Sequence, residues 1–230
     1  MSALAPAAEP ATRTLYLIRH GHYAADPAAD ARLGPGISRF GAAQANLVGA
    51  RLAGLQVRFD AMHVSPMQRA QDTAAIIAGN FPDSRFDVVD ELAECTPPTR
   101  DKILMAQANP GDLAACAAQL DRIYARYFKP ADAGAQTELL VCHGNVIRSL
   151  VVRALGVAAD AWLGLSVGHA SITKIQIDAD GRIKVISVGD VGHLPPNLLT
   201  GASGDAEPSL AVPPCPEGRA GAITGSCGPG

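Results

Sequence analysis

The sequence predicts an α/β fold, a sandwich in which helices cover a mostly parallel central sheet with an antiparallel edge. Three observations predict it. Short apolar runs of strand length alternate along the chain with segments of helical periodicity. Two of those runs, "LYLIRHG" and "LLVCHG", break off in the same way, in a histidine and a glycine. The pair "SITKIQI" and "RIKVISVG" alternates across an Asp-Ala-Asp-Gly turn, which predicts an antiparallel hairpin at one edge of the sheet.

The elements follow in order. "TLYLIR" (14–19) is the first strand. A helix over 41–55 places Ala45, Val48, Leu52 and Leu55 on one face, with Ser38 as its cap. "AMHV" (61–64) is a short strand, and Ser65-Pro66-Met67-Gln68 after it reads as a capping box with proline at the first helical position, opening a helix through Ile77. The Ala-rich stretch 112–128 is helical, with Leu113, Cys116, Leu120 and Ile123 on its apolar stripe. "ELLVC" (138–142) is a buried strand, and Asn145 caps a helix that stops at Gly156. Segment 95–112 is expected as a lid or rim; its Arg100 and Lys102 read as solvated charge, with contact to a substrate beyond its phosphate as the alternative. The folded body is predicted over 13–200. Residues 1–12 and 201–230, the latter with seven glycines and five prolines, read as disordered tails.

Composition narrows the function. With 230 residues and 48% hydrophobic content the chain can bury one substantial core, and a net charge of −3 gives no basic field for nucleic acid or an anionic membrane. No run of 18 apolar residues exists and the first residues lack a basic segment before a hydrophobic one, so the expected protein is soluble and cytoplasmic. The five cysteines, Cys95, Cys116, Cys142, Cys215 and Cys227, form no C-x-x-C pair and are expected to be reduced thiols; oxidation of Cys95 or Cys142 beside the site is a further possibility.

The chemistry-bearing residues converge on one rim. In open α/β sheets ligands gather outside the carboxyl ends of strands, so His20 and His143 are expected to meet there. Arg19 ends the first strand, and Arg69 lies in the first turn of the helix after "AMHV", where free backbone N–H groups already favour negative charge. Arg19, Arg69 and the two histidines, with Gly21 and Gly144 completing the substrate-binding set, form an anion pocket that should open to solvent at His20 and needs no metal. His22 is expected at the rim, His63 in the core or at an interface, and His169 and His193 in loops where either could touch the pocket without doing chemistry.

"LIRHG", "SPMQRAQDTA", "ELAE" and "LLVCHGNVIR" together resemble the histidine phosphatase superfamily, the phosphoglycerate mutase-like group. Further segments, "AWLGLSVGHASIT" and "GDVGHLPP", resemble its Ser/Thr protein phosphatases in the same order. That resemblance implies a three-layer α/β/α fold and a phosphohistidine intermediate on His20, with Arg19, Arg69 and His143 around the phosphoryl group. Glu94 falls where the family carries its proton donor, and Glu91 is the competitor. The membrane anchor and tryptophan-bearing assembly motif of that branch have no counterpart here, so its location and assembly are not carried over. The expected activity is a cofactor-free phosphomonoesterase with a phosphorylated substrate, phosphoserine and phosphothreonine included; the oligomeric state is open. Alternatives are a small-molecule phosphatase, a phosphoglycerate mutase, a phosphate-binding module without catalysis, and a metal hydrolase using His20, His22 and His143.

Overall fold

The structure, a computed structural model, describes residues 11–202 and residue 210. Nearly all of both expected tails, and with them Cys215 and Cys227, lie outside the described residues.

Six strands, β1 (Arg13–Arg19), β2 (Ala61–Val64), β3 (Phe86–Val88), β4 (Gln136–Cys142), β5 (Ile172–Ile177) and β6 (Ile183–Asp190), form one sheet in the order β3-β2-β4-β1-β5-β6. The first four run parallel to one another, and β5 and β6 add the antiparallel edge. Five helices, α1 (Arg39–Gly54), α2 (Gln68–Ala78), α3 (Lys102–Gln107), α4 (Pro110–Tyr127) and α5 (Gly144–Ala154), complete the architecture.

Alternation within the central strands creates two cores. Leu15 and Leu17 of β1 and Leu140 and Cys142 of β4 pack with Cys116, Ile123, Val146 and Ile147 from α4 and α5. Tyr16 and Ile18, with Leu139 and Val141, pack on the other side with Val48, Leu52, Ala74 and Ile77 from α1 and α2. A strand covered on both faces has no polar side to show, which is why β1 and β4 read as unbroken apolar runs. The layers are therefore three, α1 and α2, the sheet, then α4 and α5.

The register of β1 on β4 pairs Arg19 with Cys142, and the N–H of His20 donates to the Cys142 carbonyl at 3.0 Å. The two histidines thus leave neighbouring strands at the same level.

Several local expectations shift. Leu55 is the exposed C-cap of α1 rather than part of its buried stripe. The capping box does not form: α2 starts at Gln68, Gln68 turns its amide to Asp72, and the Ser65 hydroxyl accepts from the Met67 N–H at 3.2 Å, a local serine turn. Asn145 is inside α5 rather than its cap. The rim segment contains α3, and Arg100 pairs with Asp160 instead of standing free. The strand β3, only three residues long on the edge, carried no readable pattern.

The expectation of reduced thiols is overturned by a disulfide between Cys95 and Cys116. Spacing hid it: Cys116 sits on the buried stripe of α4, where a small apolar residue fits equally well, and Cys95 reaches it only because the loop after Glu94 folds against that helix. Cys142 is free and buried, its thiol pushed up to about 12 by desolvation. A cross-link closing a loop with a separation of 21 residues is worth about 3 kcal/mol on chain entropy. Urea unfolding of the oxidised chain, compared with the dithiol-reduced chain and with Cys116→Ala, should show a loss of that order in both; superimposable curves would mean the two sulfurs are not bonded in solution.

Candidate active site

His20 follows β1 and His143 follows β4, and their rings lie 5.0 Å apart between centroids. His20 Nδ1 lies 2.8 Å from the Gly21 carbonyl oxygen, which can only accept, so Nδ1 carries the proton. The other nitrogen, Nε2, then holds a lone pair, and Arg69 Nε donates to it at 3.1 Å. The tautomer is set by backbone on one side and a guanidinium on the other. Burial above all, with the charges of Arg19 and Arg69 adding to it, keeps the imidazole neutral, its pKa well below the usual histidine range.

Arg19 is pinned. Its Nη1 donates to the carbonyls of Val167 at 2.6 Å and Gly201 at 3.0 Å, and its Nη2 donates to His169 Nε2 at 3.0 Å. That last bond makes His169 Nε2 an acceptor, so its proton sits on Nδ1 and goes to Thr200 Oγ1 at 2.9 Å. Burial and the Arg19 charge hold the His169 pKa down at about 3. Gly201 has φ +76°, and a Cβ there would lie 2.8 Å from Arg19 Nη1 and closer still to the His169 ring, so glycine is required on both counts. Arg19 Nε remains buried with no partner.

His143 bonds through Nε2 to Ser65 Oγ at 2.7 Å and leaves Nδ1 buried without a partner. Burial, then Arg69 and Arg19, hold it neutral. Glu94 is partly buried. Its Oε2 accepts from the Asn145 N–H at 3.4 Å and its Oε1 has no partner. Desolvation raises its pKa in spite of that N–H, Arg69 and Arg19. Glu91 faces Arg122 on α4 at 4.0 Å, outside this cluster.

The two glycines do different work. Gly21 spends its N–H on Thr73 Oγ1 at 3.0 Å, and a Cβ there would strike the Gly41 carbonyl at 2.6 Å; it lets α1 approach and is not an open donor toward a phosphate. Gly144 opens α5, and its missing side chain leaves room for Arg19 Nε 3.2 Å from the Cβ position.

The ring of His20 is not open to solvent as expected; the residue is 2% exposed. Tyr23 stands edge-on over it at 5.4 Å, and the Arg69 guanidinium lies 4.9 Å from the Tyr23 ring centre. His22 bonds Ser38 at the rim, His63 lies beside Glu138 at 3.7 Å away from the cluster, and His193 donates to the Ala170 carbonyl. Sequence reasoning missed Ser65 and Tyr23 as site residues, and His169, expected in a loop that could touch the pocket, does reach it through Arg19.

The family model of the histidine phosphatase superfamily (branch 1) matches residues 15–109 and 112–189. The chain is 36% identical over 196 residues to the Serine/threonine-protein phosphatase Pgam5, mitochondrial, of Caenorhabditis elegans, covering 83% of this chain and 67% of that protein. The human protein of the same name is 34% identical, with 83% and 66% covered. Among solved structures, phosphoglycerate mutase from Plasmodium falciparum superposes with a TM-score of 0.56 at 27% identity, over 80% of this chain and 94% of that one. The cytoplasmic expectation is corrected by these relatives, which are named mitochondrial. It rested on the lack of a secretory signal and of an apolar span, and neither bears on import into an organelle. Among the described residues no helix is long and apolar enough to cross a membrane.

The buried neutral histidines make stability pH-dependent. His20, His143 and His169 have depressed pKa values in the folded chain. Below about pH 6.5 the unfolded chain takes up protons that the folded chain refuses, so stability is full above that pH and drains as pH falls toward the folded values, each group giving up to about 1.4 kcal/mol per pH unit. Glu94, raised in the fold, works in the opposite sense between its ordinary and raised values. The urea midpoint of the free protein should fall from pH 7 to pH 5, and His169→Asn should flatten that slope by roughly one proton's worth; a flat profile would mean the rings are protonated or exposed.

Proposed function

This chain belongs to the histidine phosphatase superfamily, and we propose that within it the protein is a metal-independent phosphomonoesterase that passes the phosphoryl group through His20 and acts on phosphoserine and phosphothreonine in proteins. One observation carries the role of His20: Nδ1 is committed to the Gly21 carbonyl, so the lone pair on Nε2 faces the guanidinium of Arg69. The protein-phosphatase assignment is supported by relatives named serine/threonine-protein phosphatases.

In the first step Arg69 releases Nε2 and turns its donors to the phosphoryl oxygens. The Nε2–P bond forms as the bond from phosphorus to the ester oxygen breaks. Arg19, held by three acceptors, offers its free Nε to the equatorial oxygens, and positioned charge of this kind supplies most of the catalysis in phosphoryl transfer. His143, neutral in the empty site, gains a proton-holding role when a dianion offsets the nearby guanidiniums. Glu94 gives its proton to the departing oxygen, which the raised pKa allows. In the second step the Glu94 carboxylate takes a proton from water, the new O–P bond forms, and the N–P bond breaks.

His20→Ala should abolish phosphate release from p-nitrophenyl phosphate with the far-ultraviolet spectrum unchanged, and quenching the wild-type enzyme in alkaline detergent during turnover of labelled substrate should trap a phosphohistidine whose label survives base and is lost in acid. Turnover by the variant would refute the nucleophile. Glu94→Gln should slow turnover by about 10²- to 10⁴-fold, most for poor leaving groups; an equal loss with p-nitrophenol and with an alkyl alcohol would remove Glu94 as the acid. Chelators should leave the wild-type rate as it is, and inactivation by EDTA would reinstate the metal hydrolase.

A further inference from the structure

Arg148 is a charged side chain that this chemistry does not use. It stands on α5 one turn after Gly144, and long side chains on a helix lean back toward its N-terminus, here toward the reaction centre. Its Nη1 reaches Asn145 Oδ1 at 3.5 Å, a weak contact, and its Nε is buried with no hydrogen-bond partner. After burial, the Arg148 charge is the largest cause that lowers the Arg19 pKa to about 10, so two guanidiniums stand close enough to repel.

Arg148 lines a hollow of about 360 Å³ together with Leu163, Gly164, Leu165, Ser166, Gly201 and Ala202. The Gly201 carbonyl accepts from Arg19 Nη1, which puts the hollow next to the phosphoryl position. Among the described residues no acidic side chain lines it. A phosphoryl dianion offsets Arg19 and Arg69 and leaves the third guanidinium without a counter-charge.

We propose that this hollow is a second anion subsite, in which Arg148 and the Ser166 hydroxyl take a carboxylate that the substrate carries beside its phosphorylated residue, so that the preferred substrates are phosphopeptides with Asp or Glu close to the phosphoserine or phosphothreonine. The inference rests on the phosphoryl position assigned in the preceding subsection. A carboxylate suits the site because Arg148 presents a planar fork of donors. The subsite would set which phosphoproteins are used and would leave the bond-making steps to His20 and Glu94.

The test compares kcat/KM for matched phosphoserine peptides that differ by Asp against Asn beside the phosphoserine, in the wild-type protein, Arg148→Gln, Arg148→Lys and Ser166→Ala. The wild type should prefer the acidic peptide by about tenfold, the worth of one charge-assisted hydrogen bond. Arg148→Gln should bring the ratio close to one, Arg148→Lys should restore part of it, and Ser166→Ala should reduce it. The ratio is internal to each variant, so a general loss of activity does not mimic the result. No preference in the wild type, or a preference that survives Arg148→Gln, overturns the subsite. A preference confined to 3-phosphoglycerate over glycerol phosphate, and absent from peptides, overturns the peptide assignment. Binding of the same peptides to His20→Ala, followed by fluorescence anisotropy, reads the ratio without turnover. Failure of the nucleophile would appear instead as phosphate release by that variant.

Discussion

The parallel register of β1 on β4 is the constraint on which the rest of the site depends. Because Arg19 pairs with Cys142, the residues that follow, His20 and His143, leave the sheet side by side. Backbone bonds between two buried strands are among the least deformable parts of a domain, since breaking one leaves an unpaired group in an apolar interior. Both imidazoles are therefore positioned by the core. A one-residue slip between these strands would turn each side chain to the opposite layer and separate them.

Electrostatics explains why the pocket needs an anion. Arg19 and Arg69 crowd two neutral histidines, Arg148 stands near Arg19, and burial raises the pKa of the Glu94 carboxyl. Arg19, His143, Glu94 and Arg148 each keep a buried polar atom without a hydrogen-bond partner. An unsatisfied buried polar atom costs about 1–3 kcal/mol, and a dianion with several acceptor oxygens could satisfy more than one at once. Arg69 donates to the lone pair of His20, and Tyr23 lies against both.

What could be read along the chain was the part carried by short segments. The strand-ending Arg-His-Gly and Cys-His-Gly gave away two histidines and one arginine, and Arg69 followed from its place in a helix's first turn. Neighbours that enter through folding had no such mark. His169 reaches Arg19 because β5 lies antiparallel beside β1, a pairing that sets residues 148 or more apart in contact. Ser65 looked like a helix cap because capping and bonding a histidine ask for the same hydroxyl; packing chose the histidine. Cys116 gave the same kind of ambiguity, apolar on a helical stripe and yet half of a cross-link.

The two halves of the site are held by different means. The nucleophile side comes from strand ends and a helix start. Glu94 comes from a loop, fixed by the Asn145 N–H, by the amide of Asn145 on the Cys95 carbonyl, by its own N–H on the Met67 sulfur, and by the disulfide just after it. Each tie connects that loop to α5, to the start of α2 or to α4, so Glu94 is carried by the helical layers rather than by the sheet. A fold arranged this way can keep phosphoryl capture constant while the leaving-group side varies in sequence and shape. Arg148, on the same helix that holds Asn145, belongs to that adaptable half, and discrimination among substrates is accordingly expected there rather than around the two histidines.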